Sequence, residues 1–423
     1  VGLTQSPISN TGMRQILMST NIEPPARYSM QKQSNLIGSK LVELNEQDML
    51  AHRQEIKGVM EYRGEKNMPI PVEGDGRYNN TLWSGSGRTP YQPATQSVYT
   101  VVENVTKNKK ILGIYTGNKL CAGGQRFRQH DADVKCPNHR GVCTANLKPT
   151  DSIGDERRAL QSVLRAMQPE LTVGSITADG DSQVHKAVGD DVQVLRDTRH
   201  FGQSLKRQIE NAHFSEKLMT GKTKAQRTKL MKRLAVDVTK RCNAEFSECY
   251  RQNNGDLPVV KRALTFVIDA IEQCYSGDCS LCIRYSYVCT GNSSKTFLPS
   301  DIHLDFSEPS DKKLLRDCLM YRLGPKGVEL TKLNSNTQKC ESVNRTYQKT
   351  NPKLVTWSRN FTGRIHSAVH LRNNGLAKST LMKMEAVGIT PSATMRLHLQ
   401  RENRNIENIL ARNRSMKHKL AQH

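Results

Sequence analysis

The spacing of hydrophobic residues predicts a helical start, a middle part that mixes strands with helices, and a mostly helical second half. In residues 39–62, apolar side chains such as Leu41, Leu44 and Met49 recur at helical intervals. Two β-rich runs, residues 97–105 and 110–118, are separated by a Lys/Asn turn and predict a hairpin. A short apolar run before them, ending near Gly-Asp-Gly, predicts the first strand.

The pattern then alternates between helical and strand periods. Residues 152–168 predict a helix capped by Asp151 or Ser152, and residues 171–178 predict a strand. A short helix over 183–191, a strand over 192–197 and another helix follow. Three strands, a helix, a strand, a helix and a strand predict an α/β fold with a mixed sheet, which has acidic residues at strand ends.

These patterns predict five regions, which we list in chain order. They are a helical N-terminal region (1–66), the first part of the α/β core (67–204), a helical and Cys-rich insertion with polar loops from 276 (205–330), a core helix carrying Glu341 (331–375) and a basic helical tail (376–423). The sheet core is therefore expected to be interrupted by a large insertion before its last helix.

The net charge of +23 is the strongest compositional feature. An excess of this size favours a polyanionic partner, because binding releases condensed counterions, and nucleic acid is the commonest such partner. The charge is clustered: residues 206–241 contain 11 Lys and Arg against 3 acids, and residues 345–383 contain 8 and none. The densest basic run, 222–233, predicts either a surface that follows phosphates or a nuclear localisation signal.

Separated acidic residues supply the candidate chemistry. Asp75 lies in a Gly-flanked turn at the expected end of the first strand, and Asp179 directly follows the strand 171–178. Glu341 lies in an expected helix, with Asn344 one turn later on the same face. Carboxylates are the ligands that Mg²⁺ and Mn²⁺ prefer, and two-metal phosphoryl transfer needs several of them. Taken singly, Gly-Asp-Gly and Asp-Gly also make ordinary turns.

Five stretches of sequence together resemble the metazoan branch of the Mutator-like transposase domain. They are VVENVTKNKKILGIYTGNKLC, SIGDERRALQSV, ITADGDSQVHKAV, RDTRHFGQSLKRQI and NSNTQKCESVNRTYQKTNPK. The resemblance runs from about Asp75 to Gly375. It implies an RNase H-like core with a catalytic DDE triad and a helical insertion before the Glu.

Carried onto this sequence, the resemblance implies Asp75, Asp179 and Glu341 as the three catalytic acids, which hold Mg²⁺ or Mn²⁺. Asp181 is an alternative to Asp179 because the motif DGD offers two aspartates. Asp197 and His200 match a C/D-x-x-H motif in which Cys is commoner than Asp. We count His200 with the catalytic residues and expect it to orient a phosphate or the flanking strand near the site.

The implied function is cleavage of double-stranded DNA at transposon ends, followed by strand transfer into a target. The alternative is a domesticated, non-catalytic DNA-binding protein derived from a transposase. Transposases of this kind generally act as assemblies, so a homo-oligomer is expected, although the sequence shows no interface.

Two Cys/His groups are candidates for structural zinc sites. The first comprises Cys121, Cys136, His139 and Cys143; the second comprises Cys274, Cys279, Cys282 and Cys289, with one C-x2-C spacing. Four tetrahedral N and S ligands would close a site and stiffen loops with little core of their own. Free thiols in a reducing compartment remain the alternative for both groups.

The eleven cysteines and the first residues bear on the compartment. An odd number of cysteines without a secretory signal favours reduced thiols or metal ligands over disulfides. No uninterrupted run of about 18 apolar residues is present, so no membrane partner is expected. These features indicate a nuclear or cytoplasmic protein, and of the two compartments we expect the nucleus. The absence of an initiator Met predicts that the sequence is a piece of a longer chain.

Overall fold

A computed structural model describes residues 1–79, 94–121, 145–148, 151–179, 182–291, 304–357 and 359–422. The chain divides into two compact units. The first unit comprises Val1–Gly174, Gln183–Val192 and Gln338–His423, and the second comprises Ser175–Ser182 and Gln193–Thr337. The five regions predicted from the sequence divide the chain differently, and they stay predictions.

The elements that the structure describes follow in chain order. They are α1 (Asn10–Ser19), α2 (Arg27–Tyr62), β1 (Ile70–Tyr78), β2 (Gln96–Glu103), β3 (Ile111–Asn118), α3 (Glu156–Met167), β4 (Val173–Ala178), α4 (Ser182–His185), β5 (Gln193–Arg196), α5 (Thr198–Glu210), α6 (Lys224–Gln252), α7 (Leu257–Tyr275), α8 (Ser280–Tyr285), α9 (Pro309–Leu323), α10 (Pro325–Leu330), α11 (Gln338–Thr350), α12 (Phe361–Asn374), α13 (Leu376–Ala386) and α14 (Ala393–Gln422).

The strands form one mixed five-stranded sheet in the order β3-β2-β1-β4-β5. β1 pairs antiparallel with β2, and β2 pairs antiparallel with β3. β4 and β5 are parallel. The predicted hairpin, the predicted order of strands and helices, and the mixed α/β class are thereby confirmed.

The first unit builds its core on β2, which is buried along its whole length. Side chains from β2 and β3 pack with those of α11 and α12, among them Val98, Val102, Val343, Tyr347 and Ile365. Full burial of one such aliphatic side chain is worth about 1.5–3 kcal/mol. This cluster fixes α11 against the sheet, and α11 is the helix that carries Glu341.

The second unit has a helical core between α5, α6, α7 and α9. The predicted polar loops from residue 276 onward are wrong for much of this range, because α8, α9 and α10 occupy it. In α9, Leu315, Leu319 and Leu323 follow one another at four-residue intervals and are fully or almost fully buried. That helical period outweighs the polar residues between them.

Two further observations concern helices. The predicted cap of α3 is wrong: Asp155, rather than Asp151 or Ser152, precedes the helix and accepts a hydrogen bond from the backbone N–H of Arg158 at 3.1 Å.

In the part of the chain that the structure describes, no helix has the length and apolar character needed to cross a membrane.

Candidate active site

Asp75 lies inside β1 and not in a turn, so the predicted end of the strand at Gly-Asp-Gly is wrong. Antiparallel pairing with β2 continues without a break from Val72 to Tyr78, and Asp75 faces Thr100 in the register. Packing explains why glycine occupies position 76: a Cβ there would lie 2.4 Å from Glu156 Oε1. The glycine therefore admits a side chain from α3 instead of turning the chain.

Two contacts fasten α11 to β1. The amide Nδ2 of Asn344 donates to Asp75 Oδ2 at 2.7 Å, and the backbone N–H of Cys340 donates to Glu73 Oε1 at 3.0 Å. Glu341 lies between these two anchor points on the helix and is half-buried. The structure thus brings the helix that carries the predicted third acid onto the strand that carries the predicted first acid.

Glu73 is an acidic residue of this region that the sequence reasoning missed. It is buried, and this burial raises the pKa of its carboxyl to about 7, while the hydrogen bond from Cys340 acts in the opposite direction. Glu73 and Asp75 are two residues apart and share a face of β1. The sequence signal was the spacing of the two acids in VEGD, which fits one face of a strand.

Asp179 and His200 form a pair in the second unit. Asp179 directly follows β4, as predicted, and His200 lies in the first turn of α5. His200 Nε2 is 3.1 Å from Asp179 Oδ1, and the side chains of Asp179 and His200 are 48% and 33% exposed. Both groups are accessible to solvent, so an ion or a phosphate can reach them.

Asp197 has a structural role in the same region. It precedes α5, and its Oδ1 accepts hydrogen bonds from the backbone N–H groups of Arg199 (2.6 Å) and His200 (2.9 Å). Its Oδ2 accepts from the backbone and the hydroxyl of Thr337. With 1% exposure, Asp197 is a buried N-cap that fixes the backbone carrying His200.

The four cysteines of the second predicted zinc group lie together. The sulfur atoms of Cys274, Cys279, Cys282 and Cys289 are all within 4.8 Å of one another. Of the first group, Cys121 is described and buried, whereas Cys136, His139 and Cys143 lie outside the described residues. Asp181, the alternative to Asp179, also lies outside them.

The sheet and the acidic groups beside it define a mixed α/β protein, and comparison with known proteins gives the family. The model of the Mutator-like transposase family matches residues 1–289, more than half of the chain, so this chain belongs to that family. The matched range includes Asp75, Asp179 and His200 and ends before Glu341. No curated protein and no solved structure matches the chain.

Proposed function

We propose that this chain is a DDE-type DNA transposase of the metazoan branch, and that it cleaves and transfers DNA strands with Asp75, Asp179 and Glu341 as its catalytic acids. Its membership of the Mutator-like transposase family makes it transposase-derived. The observation that carries the catalytic proposal is the hydrogen bond between Asn344 and Asp75, 269 residues apart, which holds the helix of Glu341 on β1.

The sheet supports an RNase H-like core. β1, β2 and β3 follow one another along the chain and pair antiparallel, and β4 and β5 come later and pair parallel. In the order of strands, β1 and β4 are adjacent. In this arrangement Asp75 belongs to β1, and Asp179 follows β4. The large helical segment α6–α10 lies in the sequence between β5 and α11, as the proposed interrupted core requires.

The donor chemistry fits a divalent cation of the magnesium type. The three acids offer carboxylate oxygens at half-buried or exposed positions, and hard oxygen donors suit Mg²⁺ or Mn²⁺. When bound, such an ion supplies charge stabilisation for phosphodiester cleavage and lowers the pKa of an attacking water or 3′-hydroxyl.

Four further residues orient the proposed catalytic acids or the backbone that carries them: Glu73, Asp197, His200 and Asn344. Asn344 holds Asp75 in one orientation through its amide, and Glu73 holds the first turn of α11 through Cys340. His200 is a positioning residue for Asp179, and Asp197 in turn fixes the backbone of His200. A carboxylate with a fixed orientation loses less freedom when it binds a cation, which favours catalysis.

The proposed partner is double-stranded DNA at transposon ends and at the target, and the proposed location is the nucleus. The first turns of α6 and the residues before it carry exposed cations, including Lys222, Lys224, Lys229 and Lys232. Such a row can contact phosphates without reading sequence. We also propose that several copies of the chain assemble on the DNA ends.

The test compares Asp179→Asn with Asp181→Asn in an assay of cleavage and joining of DNA that carries the element's own ends. Asp179→Asn should abolish both reactions and leave DNA affinity at fixed salt unchanged, while Asp181→Asn should remain active. The opposite pattern would assign the ligand to Asp181. Retained cleavage in both variants would contradict the proposed triad, and a wild type that binds without cleaving would favour the domesticated DNA-binding protein.

A further inference from the structure

We infer that Cys274, Cys279, Cys282 and Cys289 bind one structural Zn²⁺ ion in the second unit. Each sulfur atom lies within 4.8 Å of the other three. In a tetrahedral zinc site the Zn–S distance of about 2.3 Å places the sulfurs roughly 3.8 Å apart. Small inward movements of the four side chains therefore suffice to complete a closed Cys₄ site, and this inference does not depend on the catalytic proposal.

The backbone of this segment is shaped to bring the four thiols together. Cys274 lies in the last turn of α7, Cys279 directly precedes α8, and Cys282 lies within α8. The backbone N–H of Cys282 donates to the carbonyl of Cys279 at 3.0 Å, which closes the C-x2-C turn. Between the first two cysteines Gly277 adopts a φ of 95°, a conformation that favours glycine.

A buried arginine supplies the surroundings that a thiolate site needs. Arg241 on α6 is 1% exposed, and its Nη2 lies 3.5 Å from Cys282 Sγ and 3.0 Å from Ser286 Oγ. Four thiolates around one Zn²⁺ carry a net charge of about −2, and an N–H donor such as Arg241, itself paired with Glu245, stabilises the thiolate that it contacts. Outer hydrogen bonds of this kind orient the ligands of metal sites.

The same network reaches the fourth cysteine. Ser286 Oγ accepts a hydrogen bond from the backbone N–H of Cys289 at 2.7 Å, and Arg241 Nε donates to Glu245 Oε1 at 2.7 Å. Arg241 is thus bonded directly to Cys282 and, through Ser286, to the chain at Cys289. One buried side chain of α6 therefore contacts the sulfur of the α8 ligand directly and the backbone of Cys289 through Ser286.

A bound ion would stabilise the segment around the four cysteines, where apolar side-chain packing contributes little. The cluster around the thiols contains few apolar groups apart from the cysteines themselves, namely Ala270, Leu281 and Tyr285. A metal that joins the end of α7, α8 and Cys289 cross-links three segments, and its binding free energy adds to folding. The competing arrangement is a Cys274–Cys279 disulfide, since these two sulfurs are 3.4 Å apart.

The experiment measures zinc in the full chain, purified without metal-affinity resin, by elemental mass spectrometry. We expect Cys282→Ser and Cys289→Ser to hold about one Zn²⁺ per chain less than the wild type, a difference that does not depend on any zinc held by the Cys121 group. Cys249→Ser and Cys318→Ser are matched controls, because both cysteines are buried in the same unit but lie outside the cluster. Both controls should keep the ion.

Two measurements remain decisive even if the cysteine variants fold poorly. Wild type exchanged with Co²⁺ should show the absorption bands of tetrahedral thiolate coordination. Arg241→Lys keeps the buried charge and should bind zinc with the same stoichiometry but roughly 10–100-fold more weakly. A wild type without metal, a Cys274–Cys279 disulfide found by mass spectrometry, or full zinc content in Cys282→Ser would overturn the inference.

Discussion

At the residue scale, the buried Lys383 illustrates how the first unit tolerates a charge in its core. Lys383 on α13 is fully buried, and its Nζ donates to the carbonyl of Ser367 at 2.7 Å. Desolvation lowers the pKa of this lysine to about 7, and the nearby carboxylate of Asp48 acts in the opposite direction. Unfolding returns the amine to water, where its ordinary pKa is about 10.4.

This difference predicts a pH-dependent stability. Because the folded pKa of Lys383 is lowered, the unfolded state binds more protons between about pH 7 and pH 10, so this residue makes the protein more stable as the pH rises. Between pH 7 and 9, the stability of the wild type relative to Lys383→Met should rise with pH, with a slope of at most about 1.4 kcal/mol per pH unit. Denaturant unfolding at several pH values measures this difference.

Lys378→Met provides the comparison, because Lys378 lies on the same helix and is not buried. Its stability relative to the wild type should not change with pH over the same range. Parallel profiles for the wild type and Lys383→Met would show that Lys383 is not desolvated in the folded state.

Asp75 shows what the sequence could and could not predict for a single residue. Its chemical type and its place near the first strand were predictable, because a short apolar run precedes it. Its position within β1 was not, since glycine and aspartate favour turns in isolation and only the pairing with β2 outweighs this preference. The contact with Asn344 depends on tertiary packing across 269 positions, which no local pattern contains.

At the element scale, the N-cap of α5 also joins this helix to the residue directly before α11. Asp197 caps the helix, is buried and also accepts two hydrogen bonds from Thr337. Asp256 caps α7 in the same way but makes one exposed hydrogen bond, to the backbone N–H of Val259 at 3.2 Å. A comparison of variants at the two positions therefore separates the stabilisation that a helix cap provides from the stabilisation that the buried hydrogen bonds to Thr337 add.

Asp197→Ala should lower the free energy of unfolding by about 2–4 kcal/mol, because it removes the cap and leaves buried donors of Thr337 without their acceptor. Asp256→Ala should cost only about 0.5–2 kcal/mol. Equilibrium denaturation of both variants measures the two losses. Equal losses would mean that the bonds between Asp197 and Thr337 contribute nothing beyond capping.

Elements with a regular period could be predicted, and those that depend on a cap or on distant partners were placed less well. The β2–β3 hairpin was predictable because its two apolar runs flank a polar turn. The start of α3 was misplaced because Asp151, Ser152 and Asp155 are all suitable caps, and sequence does not decide which one meets a backbone N–H. The missed α9 has its apolar side chains on one face between charged residues.

At the scale of the whole molecule, the predicted mixed α/β sheet is present in the structure, and family membership rests on a match over residues 1–289. The structure organises the proposed acids as two local groups: Asp75 with the helix of Glu341 in the first unit, and Asp179 with His200 in the second. That the three acids act together in catalysis is the central claim of the proposed function.

The most direct test measures Mg²⁺- or Mn²⁺-dependent cleavage of DNA with the element's ends by the wild type, by Glu341→Gln and by Glu43→Gln. Glu43 is an exposed residue of α2 and serves as the control for the same chemical change. Wild type and Glu43→Gln should cleave only with the metal, whereas Glu341→Gln should bind the DNA with unchanged affinity and show no cleavage. Cleavage by Glu341→Gln at the wild-type rate would contradict the proposed catalytic role of Glu341.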